Sequence, residues 1–574
     1  MLLMHAKLLR SCSRVIRAPQ ITPWPLHQRG ICTTQPPRAA LELLRSPPVA
    51  KVALTEAELE SRKINKLIID ATGARGLLGL YERHGTSFND VNLATCWNRL
   101  GKVRGSERSW LRSDDGARLL ALREQTTDQV RTLGARELSN TAHGIAKLDL
   151  RGTAWGSLWK ELEEAALARR SEFEPQALSN TAWAFATASR ATPPLFDAIA
   201  KESVGRVRKL APQALANTAW AFATAGHAAP VLFDAIGMEA AGRVRELNPQ
   251  AMANTAWAFA TAGHTAPALF DAIGKEAAGR VRELNPQNLA NTAWAFATAG
   301  HAAPALFDAI GKESAGWVRD FTPQNLANTV WAFATAAHPA PALFDAIGTE
   351  SAGRVGELNP QNLANTAWAF ATAGHAAPAL LEAIAEEASG RVREFTPQAV
   401  ANMAWAFATA GHGAPALFDA IGKEAAGRVR ELKPQELANT AWAFATAGHA
   451  APALFDAIWM EAIGRVGEFK PQELSNTALA FAKAGVMPRR RSSTRLGRRL
   501  LGECATSSLR SCPTRRGRSP RPAMPPRRSS TRLGRRLQGE CATSSRRSWP
   551  TRRGRLPPPA MPPRRSSTRL GWRL

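Results

Sequence analysis

Three kinds of side chain able to do chemistry return once every 37 residues in this sequence. Imidazoles stand at His227, His264, His301, His338, His375, His412 and His449, and indoles at Trp183, Trp220, Trp257, Trp294, Trp331, Trp368, Trp405 and Trp442. Carboxamides stand at Gln250 and Asn254 and their successors. Histidines could ligate a metal, indoles could stack on bases, and amides could hydrogen-bond to base edges. Stacked helices lie ~8–10 Å apart and zinc ligands only ~2 Å from their metal, so repeat-equivalent histidines are poorly placed to share an ion. They read as loop or capping residues. The tryptophans sit amid Ala and Phe, which predicts core, with a base-stacking ladder as the alternative.

The amides fall on a polar line through Gln250, Asn254, Ala258 and Thr261, with residue 251 beside it. Position 251 varies from unit to unit: Ala251, Asn288, Asn325, Asn362, then Glu436. Single-stranded RNA can be read one base per helical repeat by two or three side chains. The candidate reading residues are therefore Gln250, Ala251 and Asn254, then Gln287, Asn288 and Asn291, Gln324, Asn325 and Asn328, and Gln361, Asn362 and Asn365. The competing account of Asn254 and its equivalents is that they tie adjacent units together, and of position 251 that it drifts on an exposed face. Arg243, Arg245, Arg280 and Arg282 could supply phosphate contacts. Arg243 and Arg280 also stand four residues after Glu239 and Glu276, the favourable order for pairing on a helix surface. No Gly-rich phosphate loop, HExxH or nucleophile elbow occurs. The sequence thus predicts a non-enzyme that needs no metal or other cofactor.

What must position these groups is a repeated pair of helices. An Asn-Thr pair or close variant recurs from Asn180 to Asn476 at intervals of 37, with a looser copy at Asn140. Val91–Trp97 resembles an eroded copy. In the unit Asn248–Leu284, Asn248 can cap a helix opened by Pro249, and Gly263 can end it at positive φ. Pro267 opens a second helix that carries Leu269, Phe270, Ile273, Ala277 and Val281 and is expected to run to about Leu284. One unit cannot bury its own aromatics, so neighbours must stack. The predicted fold is all-α, a right-handed α-solenoid of tandem 37-residue helix–turn–helix repeats over 137–485. A degenerate helical region (46–136) precedes it, and both chain ends are expected to be disordered.

The net charge of +27 is concentrated at one end. Residues 487–574 hold 25 Arg against two Glu, a net of +23, which leaves +4 for everything before them. This tail also repeats every 37 residues, with Ser-Ser-Thr-Arg-Leu-Gly starting at Ser492, Ser529 and Ser566. Codons for Phe-Asp-Ala-Ile-Gly read one base out of register give Ser-Thr-Arg-Leu, so segment 486–574 reads as frameshifted repeat sequence that begins near Gly485. Its arginines are then no evidence for a nucleic-acid partner. Residues 1–45, with Lys7, Arg10, Arg14 and Arg17 and no acid before Glu42, read as a mitochondrial transit peptide, with a plastid address as the alternative. The six cysteines form no paired framework, and no apolar run approaches the ~20 residues of a membrane span.

The run Pro286–Ala297, Pro-Gln-Asn-Leu-Ala-Asn-Thr-Ala-Trp-Ala-Phe-Ala, resembles the octotricopeptide repeats and the related repeats of FAST-kinase-like and RAP-domain proteins. It also resembles helical-repeat proteins of mitochondrial RNA-editing substrate-binding complexes. Glu137–Leu148 is a less uniform version of the same pattern. The resemblance implies a solenoid in the mitochondrial matrix that binds single-stranded RNA in processing, stability or translation, with protein partners in a ribonucleoprotein complex. The other class open to such a fold is a protein–protein interaction scaffold. A continuous basic groove would favour RNA; an apolar or mixed one would favour protein.

Overall fold

The computed structural model describes residues 55–113, 116–150 and 153–486. The predicted address segment at the N-terminus and the tail from residue 487 lie outside the described residues. Within them are 24 α-helices, numbered α1 to α24 along the chain, with short 3-10 turns and no strand.

The unit at 248–284 shows why the chain folds as it does. The Asn248 side chain accepts the Ala251 N–H at 2.8 Å, so one orphan donor at the start of α12 (Pro249–Ala262) is satisfied. Gly263 closes the helix at φ 63, where the His264 N–H returns to the Phe259 carbonyl. The second helix, α13 (Pro267–Gly279), stops five residues short of the expected Leu284. Gly279 and Arg280 break it, and a 3-10 turn over Val281–Glu283 leads into the next cap. That early stop moves Arg280 off the helix surface, with consequences described below.

Successive first helices form one layer and successive second helices another. The first helices face each other through alanines: Ala253, Ala256, Ala258 and Ala260 are all buried, and the backbones approach closely. The second helices carry Leu269, Phe270 and Ile273 inward and stand farther apart. A stack that is narrow on one side and wide on the other bends around its narrow side, so the first-helix layer forms the concave face. Between the layers, Phe259 meets Phe233 of the preceding second helix edge to face at 5.0 Å. The apolar core runs without a break from Ile64 to Phe481. This is the continuous core that stacking was predicted to make.

Two polar ties recur at each joint. The Arg280 Nη1 donates to the Leu247 carbonyl of the previous unit at 3.0 Å while the guanidinium pairs with Glu276 and Glu283. Arg243, Arg354, Arg391, Arg428 and Arg465 repeat the arrangement. At the corresponding place in one unit stands Trp317, which is exposed. The His264 ring nitrogen lies 2.9 Å from the Asp234 carboxylate of the unit before, and five other joints carry the same pair. Six of the seven histidines are thus inter-unit links at the loop, in line with the expected loop role, and His412, whose preceding unit has Glu382 in place of the aspartate, makes no such link. No cluster of metal-ligating side chains forms among the described residues.

At the N-terminal end the layer continues through α3 (Asp90–Leu100) and α6 (Ala135–Leu148), with different chemistry. Gly101 and Gly144 let these two backbones touch: a Cβ on Gly144 would fall on the Trp97 carbonyl. Trp97 itself is fully buried and donates to the Thr126 hydroxyl at 2.9 Å. It therefore packs in the core, one residue ahead of the register that His143 and Trp183 occupy.

Candidate nucleic-acid interface

At 3.6 residues per turn, residues seven apart lie nearly above one another, whereas residues eight apart are a quarter-turn off. The exposed line of α12 accordingly runs through Gln250, Asn254, Trp257 and Thr261. Ala258, expected on this line, is fully buried. Gln250, Gln287, Gln324 and Gln361 are exposed, and Asn254, Asn291, Asn328 and Asn365 are half-buried.

Position 251 is a correction to the sequence reading. Ala251, Asn288, Asn325 and Asn362 are buried, and Glu436 is 9% exposed. Each is the third residue of its helix, on the edge where one first helix packs on the next. There the Ser179 hydroxyl donates to the Ala214 carbonyl of the following unit at 3.0 Å. Glu436 turns back to accept the Lys433 N–H at 2.9 Å, a capping contact. The variation at this position is therefore largely variation in caps and joints, with Ala399 and Glu436 reaching only the border of a cleft between first helices.

The Asn254-type residues do not tie units together either. Their amides make no hydrogen bond to a neighbouring unit. They line shallow clefts instead, such as one of about 340 Å³ bordered by Gln361, Asn365, Gln398, Asn402 and Lys433. Unspent donors and acceptors on a half-open surface are what a polar ligand can use.

The tryptophans are only partly core. One side of each indole packs on the apolar interior and the other is open. From Trp183 to Trp442 successive rings lie 6.2–6.4 Å apart, inclined by about 30°. His143 extends the row at one end, 4.9 Å from Trp183, and Leu479, 60% exposed, takes the indole position at the other. The amphipathic nature of Trp was the missed signal: a ring at the rim of a two-sided apolar helix serves both core and surface.

The arginine candidates divide. Arg243 and Arg280 are consumed in the joints. Their pKa is raised by hydrogen bonding to Glu246 and Glu283 respectively, and the same bonds lower the pKa of those glutamates. Arg245 and Arg282 are exposed and unpaired on the rim, each next to an exposed glutamate. The concave face itself is neutral: from α8 (Pro175–Thr187) to α20 (Pro397–Ala410) no first helix carries a charged residue. The continuous basic groove built from both arginine types does not form.

A family model described as RNA-editing substrate-binding complex 6 protein matches residues 111–352 and again residues 280–501. Together the matches span more than half of the chain. The chain belongs to this family. Of the resemblances drawn from Pro286–Ala297, the one to helical-repeat proteins of RNA-editing substrate-binding complexes is thereby borne out. The two matches to the complex 6 family overlap over 280–352, as a tandem array allows when one unit can stand for another. No curated protein matches the chain. Among solved structures, a homology model of the full-length AP-3 complex in an intermediate open conformation is similar over 79% of this chain and 86% of that one, at 9% identity. Its TM-score of 0.25 is too low to carry an argument.

Proposed function

We propose that this chain is a non-catalytic, RNA-binding subunit of a mitochondrial RNA-processing assembly, and that the concave face holds a single strand by its bases. The observation that carries the reading is the uncharged row of open indoles flanked on every unit by the unspent amides of Gln250- and Asn254-type residues. Base faces find apolar surface on such a row and base edges find donors and acceptors beside it. Phosphates would then point to the rim, where Arg245 and Arg282 stand. Membership of the RNA-editing substrate-binding complex 6 family supports an RNA substrate and protein partners, and the acid-free N-terminal segment supports a mitochondrial site of action.

Near-identical units cannot distinguish one base from the next, so the expected preference is for a uniform tract. In filter binding, one homopolymer RNA should bind at least several-fold tighter than a mixed sequence of equal length. Trp294→Ala should weaken binding by about tenfold, the equivalent of ~1–3 kcal/mol per stacked base, and leave the salt slope unchanged. Failure of every RNA to bind at low salt rejects the reading.

A second reading rests on the same neutrality. An extended peptide presents backbone amides at regular spacing and brings no phosphates, so a row of Asn amides could pair with it as well. A bound peptide would show little dependence on salt, whereas single-stranded RNA loses affinity steeply as salt rises.

A further inference from the structure

Between α3 and α4 (Ser106–Ser113) the chain makes a loop that carries Lys102 and Arg104, and the first turn of α4 adds Arg108. This loop faces the last turn of α6, which adds Lys147, and together they wall an open cleft of about 650 Å³. The far wall is Trp183 and Thr187 of α8, the first indole of the row and the last residue of its helix. One acid, Asp149, lines the cleft among the described residues, against four cations. None of those four makes a side-chain ion pair, and the Arg108 Nε is buried without a hydrogen-bond partner. A guanidinium nitrogen left orphaned in a cationic cleft is poised to donate to an anion. From α8 to α20 the first helices carry no cation, and the joint arginines such as Arg243 and Arg280 are spent on Glu and carbonyl partners. The contrast singles out this end.

We infer that this cleft is an anion site that seats a phosphate group on Lys102, Arg104, Arg108 and Lys147 while the attached nucleoside lies against the open edge of Trp183. It deepens the reading of the concave face, because it gives a strand running along the indoles a charged anchor at its N-terminal end. The crowding of like charges is visible in the groups themselves. Burial, then Lys102, Arg104 and Arg108, hold the Lys147 ammonium below the usual lysine range. A dianion between them would relieve that repulsion, and the same crowding makes the Lys147 amine more nucleophilic than a surface lysine.

The first test does not depend on strand binding. The full chain is acetylated with and without inorganic pyrophosphate, and each lysine is followed by mass spectrometry. Without the anion, Lys147 should react faster than Lys312 and Lys423, exposed residues on second helices. With it, Lys102 and Lys147 should be protected severalfold and the two controls should not. Protection should disappear in the Arg104→Gln/Arg108→Gln variant, whose folding is checked by circular dichroism. Equal labelling of Lys102 and Lys147 with and without pyrophosphate overturns the site, whatever RNA does on the rest of the face.

The second test separates the sources of the phosphate with 5′-phosphorylated and 5′-hydroxyl forms of one oligonucleotide. Loss of affinity in Lys102→Gln/Lys147→Gln confined to the phosphorylated form assigns a terminal phosphate; equal loss for both assigns an internal phosphodiester. Either way the salt slope should fall by roughly 0.7 for each phosphate contact removed. Wild-type affinity and slope in the variant would overturn the anchor while leaving strand binding itself in place.

Discussion

The two ends of this stack solve the same packing problem in opposite ways. From α8 onward one joint is copied with little change: alanines between first helices, an arginine reaching back to a carbonyl, a histidine on an aspartate. Between α3 and α6 nothing is copied. Two glycines bring the backbones together, a buried Trp97 bonds to Thr126, and four unpaired cations gather where the repeats carry none. Copying spreads a surface evenly over many units and forbids any one of them from being special. The unique end is where a single, directional site can be written.

That difference predicts where the stack is brittle. Gly144→Ala is the largest effect expected, because the new Cβ would meet the backbone of Trp97 and Asn98 in α3, which cannot rotate away as a side chain can. Overpacking of this kind costs about 3 kcal/mol. In hydrogen exchange, amides of α3 and α6 should lose protection while those of α12 and beyond keep theirs, as nearest-neighbour coupling in a repeat stack requires. Uniform loss along the whole stack would show that the two ends are not independent.

The joint arginine is next. Arg280→Met removes a charge-assisted bond to the Leu247 carbonyl and leaves Glu276 and Glu283 without their partner, at a cost of about 1.5 kcal/mol after allowance for its partial exposure. One unit is already missing this tie. Trp317→Arg would place a guanidinium between Glu313 and Asp320 and within reach of the Leu284 carbonyl, so it should raise stability by about 0.5–1 kcal/mol in urea denaturation. If Arg280→Met is neutral and Trp317→Arg gives nothing, the arginines are solvated decoration and the joint is held by alanine packing alone.

Much of this was legible in the sequence, and the failures are instructive. The interval of 37, the Asn-Pro cap and the closing glycine fixed the helices, because each signal acts locally on the backbone. Position 251 was misplaced because its variability suggested exposure, when it arose from Ala, Asn and Glu all fitting a helix third position that also touches the next unit. The line through Ala258 missed Trp257 by one residue, and the row of open indoles was missed with it. Arg280 could not be placed without knowing that Gly279 ends the helix. The cluster of Lys102, Arg104, Arg108 and Lys147 has no sequence period at all and exists only because Gly101 and Gly144 bring α3 onto α6.

Acid should find the unique end before the copies. His143 takes the indole position of α6, and burial, then Lys147 and Lys102, pull its pKa down from the usual 6.5 to about 4. The unfolded chain therefore binds a proton near pH 6.5 that the folded chain refuses until about pH 4. Its contribution is complete above pH 6.5 and is lost as pH falls through that window. His143→Gln removes the titration, so wild type should lose more stability than the variant between pH 6.5 and 4 when both are unfolded in urea. Parallel curves would mean that the ring is not held neutral by its surroundings.

The smallest effect closes the comparison by repeating the first substitution inside a copied joint. Gly274 of α13 lies against Phe296 of the next unit, and a Cβ there would come 3.2 Å from the edge of that ring. The neighbour is a side chain, and a phenyl ring can tilt by the few tenths of an ångström required. The sequence itself makes the argument, since Ala200 and Ala385 occupy the equivalent position in two units and Trp459 in a third. Alanine also gains helix propensity over glycine, about 1 kcal/mol in a helix interior, which offsets the crowding. Gly274→Ala should therefore change stability by less than about 0.5 kcal/mol in the same urea assay that registers Gly144→Ala at several times that. If the two glycines respond alike, the contrast between a written end and a copied body is only one of sequence, with no counterpart in how the stack is held together.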